Sequence, residues 1–506
     1  MAATLVCRVI HAYLGATLHI VRETVPDIPL ISPAIDAFRN LGHAARSAVD
    51  PVLRIGVTGL ARSGKTVFTT ALVHQLLCDS DLPALGVSAQ GRLRRAKLAP
   101  QPDDAVPRFA YEAHLARLIE DRLWPHSTTR ISELRLVLEY ERAPSFLPGG
   151  PSRLTLDIVD YPGEWLLDLA LIEENFADWS RETIAAARHP QRAGIARSWL
   201  TMLEAMDPDA PADEAAMAKL ADAFKAYLDA LRAGPEAVAT TPPGRFLMPG
   251  DLAGSPALTF APLALKPGHV AARNSFAELM IRRFEAYKTH VVRPFFRNHF
   301  QHIDRQIVLV DVLSAMDGGA NALGELEQAL DRVLLAMRVG RNTLLSQLFA
   351  PRTERILFAA TKADHLHQSQ HKQLEAILRH LVERAMRRVE GAGAQVGAVA
   401  LAAVRATHET TVRDGGHVAR AVAGTPEAGE RIGDTVFDGA AQAAIFPGEL
   451  PDDPRTVLDG GVPPGSLRFP RFRPPPARAA LPGRPMRLPH IRLDRALEFL
   501  IGDRFG

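Results

Sequence analysis

Cysteine is almost missing from this chain: among 506 residues only Cys7 and Cys78 occur, and neither stands in a CxxC pair or a Cys/His cluster. That excludes a disulfide framework and a structural zinc site, and a reducing cytosol is the expected compartment. An excess of one charge is also lacking. The 59 basic residues nearly cancel the 57 acidic ones, for a net charge of +2, so nucleic acid is not expected as a partner. The short basic run Arg92, Arg94, Arg95, Lys97 reads as a solvated loop, with nucleic-acid or anionic-lipid contact as the lesser reading. No stretch reaches the roughly 18 uninterrupted apolar residues of a membrane span. The apolar start of the chain is broken by Arg8, His11 and His19, and no small-residue cleavage site follows it, which argues against a signal peptide. Residues 3–23 read as an amphipathic helix, either a surface helix of the fold or one that lies on a membrane.

What is present is ordinary globular material, 47% hydrophobic and 23% charged, enough for a large core in several domains. Leu53, Ile55 and Val57 form a short apolar run that ends in a glycine turn and leads into a helical stretch from Lys65. Residues 79–106, rich in Pro, Gly and Arg, read as a loop insertion, and Tyr111 to Trp124 as a helix closed by a turn at Trp124-Pro125. Alternating Leu134, Leu136, Leu138, Tyr140 and then Leu154, Leu156, Ile158, around a Pro-Gly turn, predict a hairpin. Ile307–Val310 and Ile356–Ala360 read as buried parallel strands, and Val396–Val404 as a weaker last one. These elements predict an α/β doubly wound sheet with a large, mainly helical insertion and a Pro-rich C-terminal tail. The expected division is a helical extension over 1–50, a first sheet part over 51–168, the insertion over 169–304, a second sheet part over 305–420, and the tail with a final amphipathic helix over 421–506.

Three motifs carry the chemistry. Gly59-Leu-Ala-Arg-Ser-Gly-Lys-Thr66 fits GxxxxGK[ST] between a strand and a helix. In that pattern the backbone N–H groups of Gly59, Arg62, Ser63, Gly64 and the helix start at Val67 cradle phosphate, Lys65 reaches the β and γ phosphates, and the Thr66 hydroxyl meets Mg²⁺. Asp160-Tyr-Pro-Gly163 ends a strand, so Asp160 suits the metal side and the Gly163 N–H the γ-phosphate. Asp157 competes with Asp160 but lies nearer mid-strand, where a hairpin-paired or solvent-facing acid is expected. Thr361-Lys362-Ala-Asp364 follows the Ile356 strand and resembles the NKxD element of GTPases, with Thr in place of Asn. A carboxylate at Asp364 accepts from the ring N–H and exocyclic amine of guanine, a donor pair that adenine lacks. Ala403 and Val404, at the end of the last strand, are counted with the nucleotide site.

Thr128 and Thr129, with Ser127 as a third choice, are candidates for a second hydroxyl on Mg²⁺, with turn residues as the lesser reading. Glu164, next after the DxxG, either orients the attacking water or is an ordinary loop acid. Arg62 either acts beside the phosphates as an arginine finger in cis or points to solvent or a partner.

The runs Ile55 to Thr66, Leu156 to Trp165 and Leu488 to Asp503 resemble the YcjX-like family of bacterial stress-associated P-loop proteins over roughly residues 50–506. The resemblance implies a GTP/GDP-binding domain with a helical insertion, an intracellular place, at most peripheral on the inner face of the membrane, a link to stress or envelope response, and a membrane-protein partner. The expected function is therefore a Mg²⁺-dependent GTP-binding, GTP-hydrolysing switch. Its rivals are an ATP-using P-loop enzyme and a nucleotide-loaded binding module with negligible turnover.

Overall fold

The computed structural model describes residues 51–505 except 61, 79–81, 128–129, 144–150, 234–240, 337–352, 392, 415–416, 459–461, 464–465 and 477–485. The expected helix over 3–23, the extension over 1–50 and the Thr128/Thr129 pair lie outside the described residues.

The frame is a seven-stranded sheet in the order β2-β3-β4-β1-β5-β6-β7. β1 (Val52–Gly59), β4 (Pro151–Asp160), β5 (Arg305–Val310), β6 (Arg355–Ala360) and β7 (Gln395–Ala400) pair in parallel. β2 (Leu93–Ala99) and β3 (Ser132–Glu141) add an antiparallel flank, with β3 and β4 paired from Ser132↔Asp160 to Glu141↔Pro151. Side chains alternate across these strands, so each strand feeds two cores. Leu53, Ile55 and Val57 of β1, Leu154, Leu156 and Ile158 of β4, and Ile307 and Leu309 of β5 face α1 (Lys65–Leu77) and α2 (Tyr111–Ile119). Val159, Val308 and Val310 face the other way, into a helical layer.

That layer comes largely from the chain between β4 and β5: α3 (Glu164–Ala170), α4 (Phe176–Ala187), α5 (Pro190–Glu204), α6 (Glu214–Ala233), α7 (Phe276–Tyr287) and α8 (Arg293–Asn298). Asn175 and Ser275 start α4 and α7 by accepting from the N–H groups of Asp178 and Glu278. Stacked Trp179–Phe284 and Trp199–Tyr227 pairs, with centroids 5.0 and 5.2 Å apart, fill its centre. One short helix and two long ones complete this side: α9 (Val312–Asp317), α10 (Ala320–Ala336) and α11 (His371–Glu390). Beyond β7 lie a small sheet of β8 (His408–Asp414), β9 (His417–Gly424) and β12 (Ala443–Ile445), a two-residue ribbon of β10 (Arg431–Ile432) and β11 (Thr435–Val436), and the last helix α12 (Leu493–Ile501).

The fold departs from the sequence expectation in four places. The basic run in 79–106 is not loop but the edge strand β2, where Arg94 and Lys97 pair with Glu141 and Glu139 of β3. Charged side chains on an edge strand discourage pairing with another chain. The Tyr111 helix stops at Ile119 rather than Trp124; Arg122 takes a left-handed backbone (φ 52°) and Leu123 is exposed. β9 runs across the boundary expected at residue 420. Finally, α12 is part of the sheet core: Leu493, Leu497 and Leu500 pack with β1 and α1. Arg305, buried in β5, clamps it there by donating to the Leu500 carbonyl and Asp503.

Candidate functional site

The phosphate loop leaves β1 in the middle of the sheet. Gly59 has no room for a side chain, since a Cβ would lie 2.3 Å from Ser63 Oγ and 2.5 Å from the Leu309 carbonyl. Arg62 and Gly64 adopt left-handed backbone (φ 61° and 83°), which curls the loop into the start of α1. Gly64 gives α1 no side-chain cap, so the first-turn N–H groups are left for an anion. Lys65 Nζ donates to the Gly59 carbonyl at 2.9 Å, laying the ammonium across the loop it must serve. The buried Thr66 hydroxyl donates to the His126 carbonyl at 3.2 Å.

Asp160 sits at the carboxyl end of β4, beside Val57 of β1, and is buried. Asp157, an odd number of residues away, lies on the opposite face and is held by both guanidinium arms of Arg135 at 2.6 and 2.7 Å. The two motifs meet at their glycines: a Cβ on Gly163 would lie 2.2 Å from the Gly59 carbonyl oxygen. Gly163 therefore rests directly on the phosphate loop. Glu164 is not among the residues that line the cavity described below. Its side chain is buried against the helical layer, with Arg232 Nε 3.8 Å away and neither carboxylate oxygen hydrogen-bonded. The chain turns that way because α3 is encased on all sides, with residues 164–169 all buried. Asp168 accepts from Gly244 N–H, Arg245 N–H and the Tyr287 hydroxyl at 2.6, 3.2 and 2.6 Å. Burial raises its pKa to about 6 despite those bonds. The Arg245 guanidinium lies 3.2 Å over the Trp165 ring.

The third motif follows β6. Thr361 N–H donates to the Val310 carbonyl at 3.0 Å, and its hydroxyl to the same oxygen at 3.4 Å, so the loop is tied to β5 rather than to the phosphate loop. Lys362, at φ 60°, pairs with Asp311, the N-cap of α9. Burial pushes Asp311 up, but Lys362 and Ser314 outweigh it and hold the carboxyl below its ordinary range. Asp364 is 5% exposed, and its Oδ2 accepts from Ala406 N–H at 2.8 Å. Burial lowers the pKa of its neighbour His365.

One cavity of about 450 Å³ joins the first and third motifs: Arg62, Ser63, Gly64, Lys65, Thr66 and Val67 line one end, and Thr361, Lys362, Asp364, Ala403 and Val404 the other, while Gly59, Asp160 and Gly163 lie behind its lining. Ser127, the third choice for a hydroxyl on Mg²⁺, also lines it, and the remaining wall was largely not legible in the sequence. Trp124 and Pro125 had been read as a turn only, and Leu313 and Ser314 carry no motif. Glu427, Phe469, Arg471 and Phe472 come from the Pro-rich stretch near the C-terminus. A helix-closing Trp-Pro in a chain with 4 tryptophans was the one available signal.

A parallel sheet with a glycine loop feeding a helix, a carboxylate on the adjacent strand and a cavity at the carboxyl ends defines the P-loop NTPase fold, here enlarged by a helical insertion and a Pro-rich tail. The model of the YcjX-like family, DUF463, matches residues 53–505, and the chain belongs to that family. It is 38% identical over 477 residues to the Ras-like GTPase YcjX of Escherichia coli (strain K12), covering 92% of this chain and 98% of the relative. It is 33% identical over 482 residues to the Ras-like GTPase YcjX of Shewanella oneidensis, covering 90% and 95%. Among the described residues no helix is long and apolar enough to cross a membrane.

Proposed function

We propose that this chain is a guanine-nucleotide switch that slowly hydrolyses GTP. The observation that carries the reading is the single cavity shared by Lys65 and Thr66 of the phosphate loop and Asp364 of the TKAD. The names of the two relatives, each a Ras-like GTPase, support it. In this reading the loop amides and Lys65 hold the β and γ phosphates, Asp364 accepts from the guanine ring N–H and amine, the Lys362 stem lies along the base, and Ala403 and Val404 border it. Water attacks the γ-phosphorus in line; the new O–P bond forms as the bond to the β–γ bridging oxygen breaks, giving GDP and phosphate. Arg62, exposed at the cavity wall, would stabilise charge on the departing oxygens. With Glu164 committed to the helical layer, no side chain follows the DxxG to orient the water. Intrinsic turnover on the order of 10⁻⁴ to 10⁻² s⁻¹, the range of unassisted G proteins, is expected.

Mg²⁺ is implied by this class, and the donor set fits it. The Thr66 hydroxyl and Asp160 carboxylate are hard oxygen donors at the ends of neighbouring elements, and Thr128 or Thr129 would supply a third. Among the described residues no group of three or more His, Cys, Asp or Glu makes a full metal cage, which suits an ion that completes its shell with phosphate and water. Bound there it would neutralise charge on the β and γ oxygens.

The encased α3 supports an output route. Gly163 touches both the phosphate loop and α3, and α3 cannot shift without moving Asp168, Arg245 and Tyr287, so the helical layer would report the γ-phosphate. The stress or envelope setting and a membrane-bound partner enter through the family resemblance, and co-sedimentation with inner-membrane vesicles in GTP-analogue and GDP states tests them. The central test is titration with mant-GDP and mant-ADP plus phosphate release from GTP, for wild type and Lys65→Ala. At least tenfold preference for guanine and loss of phosphate release in the variant are expected; equal affinity for the two nucleotides would refute the guanine assignment.

A further inference from the structure

The nucleotide cavity has one wall that its motifs do not supply. A strap formed by residues 466–474 borders it, with Phe469, Arg471 and Phe472 on the cavity side. The strap is fixed to the small C-terminal sheet: Glu427 N–H donates to the Arg471 carbonyl at 2.8 Å and Arg473 N–H to the Thr425 carbonyl at 2.7 Å. The Phe472 ring packs over Gly424, where a Cβ would lie 2.8 Å from it. The core under that sheet is slight, built on Val422, Ile445 and Phe472; at its other end the strap is anchored in the helical-side core by Leu467, with Phe469 packed against that core, so the part able to move by itself is the Phe472 end.

Phe472 also joins the two banks of the cavity. On one bank, Trp124 Nε1 donates to the Phe472 carbonyl at 2.7 Å, and Arg122 Nε donates to the Pro474 carbonyl at 3.2 Å. Two residues on, the His126 carbonyl accepts from the Thr66 hydroxyl, so this bank runs straight to the phosphate loop. On the other bank, the Phe472 ring meets the His365 ring edge-on, with centroids 5.4 Å apart, directly beside Asp364. A tie of two hydrogen bonds and one ring contact thus spans from the phosphate end to the base end.

We propose that this strap is a gate for nucleotide exchange, latched by Trp124 and Arg122 on one side and His365 on the other. The proposal rests on the nucleotide reading above and assigns its regulation to the C-terminal segment. A gate that borders the cavity whether or not nucleotide is bound slows entry and exit alike, so loosening it speeds both and leaves affinity nearly constant. A wall contact made only to bound nucleotide would change exit alone.

The test is stopped-flow mant-GDP association and dissociation, with the dye excited directly, for wild type, Trp124→Phe, Arg122→Asn and the double variant. Trp124→Phe deletes the indole N–H and keeps an aromatic ring. Arg122→Asn deletes the guanidinium and keeps a residue that tolerates φ 52°, so it carries the test should the tryptophan variant fail to fold. Each lost hydrogen bond should raise both rate constants roughly three- to tenfold, with Kd moving less than about twofold, and amides of 466–474 should exchange faster in folded variants. Rates equal to wild type in variants with a native far-UV CD spectrum overturn the gate, as does a rise in dissociation alone. A wild type that binds no mant-GDP brings down the nucleotide reading and the gate with it; binding with unchanged rates in the variants brings down only the gate.

Discussion

Asp364→Asn swaps one carboxylate oxygen for an amide at a side chain that is 5% exposed and already accepts from Ala406 N–H at 2.8 Å. The asparagine oxygen keeps that backbone bond, because only it can accept, and the amide nitrogen then turns to the cavity. Guanine would present two donors to a donor. Two hydrogen bonds to a charged acceptor are lost, each about 1.5–3 kcal/mol, or roughly 3–6 kcal/mol together. That weakens GDP binding by about 10² to 10⁴. Xanthine carries a carbonyl in place of the exocyclic amine, and that carbonyl accepts from the new amide. Titrations of wild type and variant with mant-GDP and mant-XDP should therefore cross: the variant prefers the xanthine nucleotide, with Kd within about tenfold of the wild-type GDP value. The hydroxyl of Thr407 bonds the Asp364 backbone carbonyl, not its side chain, so the loop should hold its shape. GDP affinity within threefold of wild type in the variant would refute the placement of the base against Asp364.

Three further outcomes are expected. Gly163→Ala places a methyl 2.2 Å from the Gly59 carbonyl oxygen; overpacking of about 1–3 kcal/mol should weaken binding of a GTP analogue about tenfold, and an unchanged Kd would show that the two glycines do not need their contact. Arg62→Ala should lower GTP turnover at least tenfold while mant-GDP affinity moves less than threefold, on the scale of arginines supplied in cis; equal turnover leaves Arg62 to solvent. Asp168 binds its proton more tightly folded (pKa about 6) than at its ordinary value of 3.8, so its contribution to stability is greatest at low pH and falls as pH rises from about 4 to about 6. That window amounts to about 3 kcal/mol, and Asp168→Asn should remove it; paired urea melts of the two proteins from pH 4 to 7 that ran parallel would contradict the burial argument.

The cores of β1, β4, β5 and β6 were legible because strand side chains alternate with period two or, in parallel strands, form unbroken apolar runs. The phosphate loop was legible for a similar reason: its glycines set the local backbone and its lysine reaches back across the same loop, so local spacing suffices. β2 was not, since an edge strand carries charge rather than an apolar pattern. The surroundings of Glu164 were not legible, because its sequence position says nothing about which layer its side chain enters; Gly244 and Arg232, which lie against it, are reached only through the helical insertion.

The sequence by itself determined the strand-loop-helix of the phosphate loop, the carboxylate three residues before Gly163, and the TKAD acid after a later strand, because each is a short-range relation between residue type and backbone. Only the tertiary structure decided that the phosphate loop and Asp364 share one cavity, that α3 is sealed inside the helical layer, and that Phe472, more than a hundred residues beyond Asp364, bridges Trp124 and His365. Such contacts join segments hundreds of positions apart. They depend on which buried surfaces must meet once the sheet is formed, and no local pattern records that.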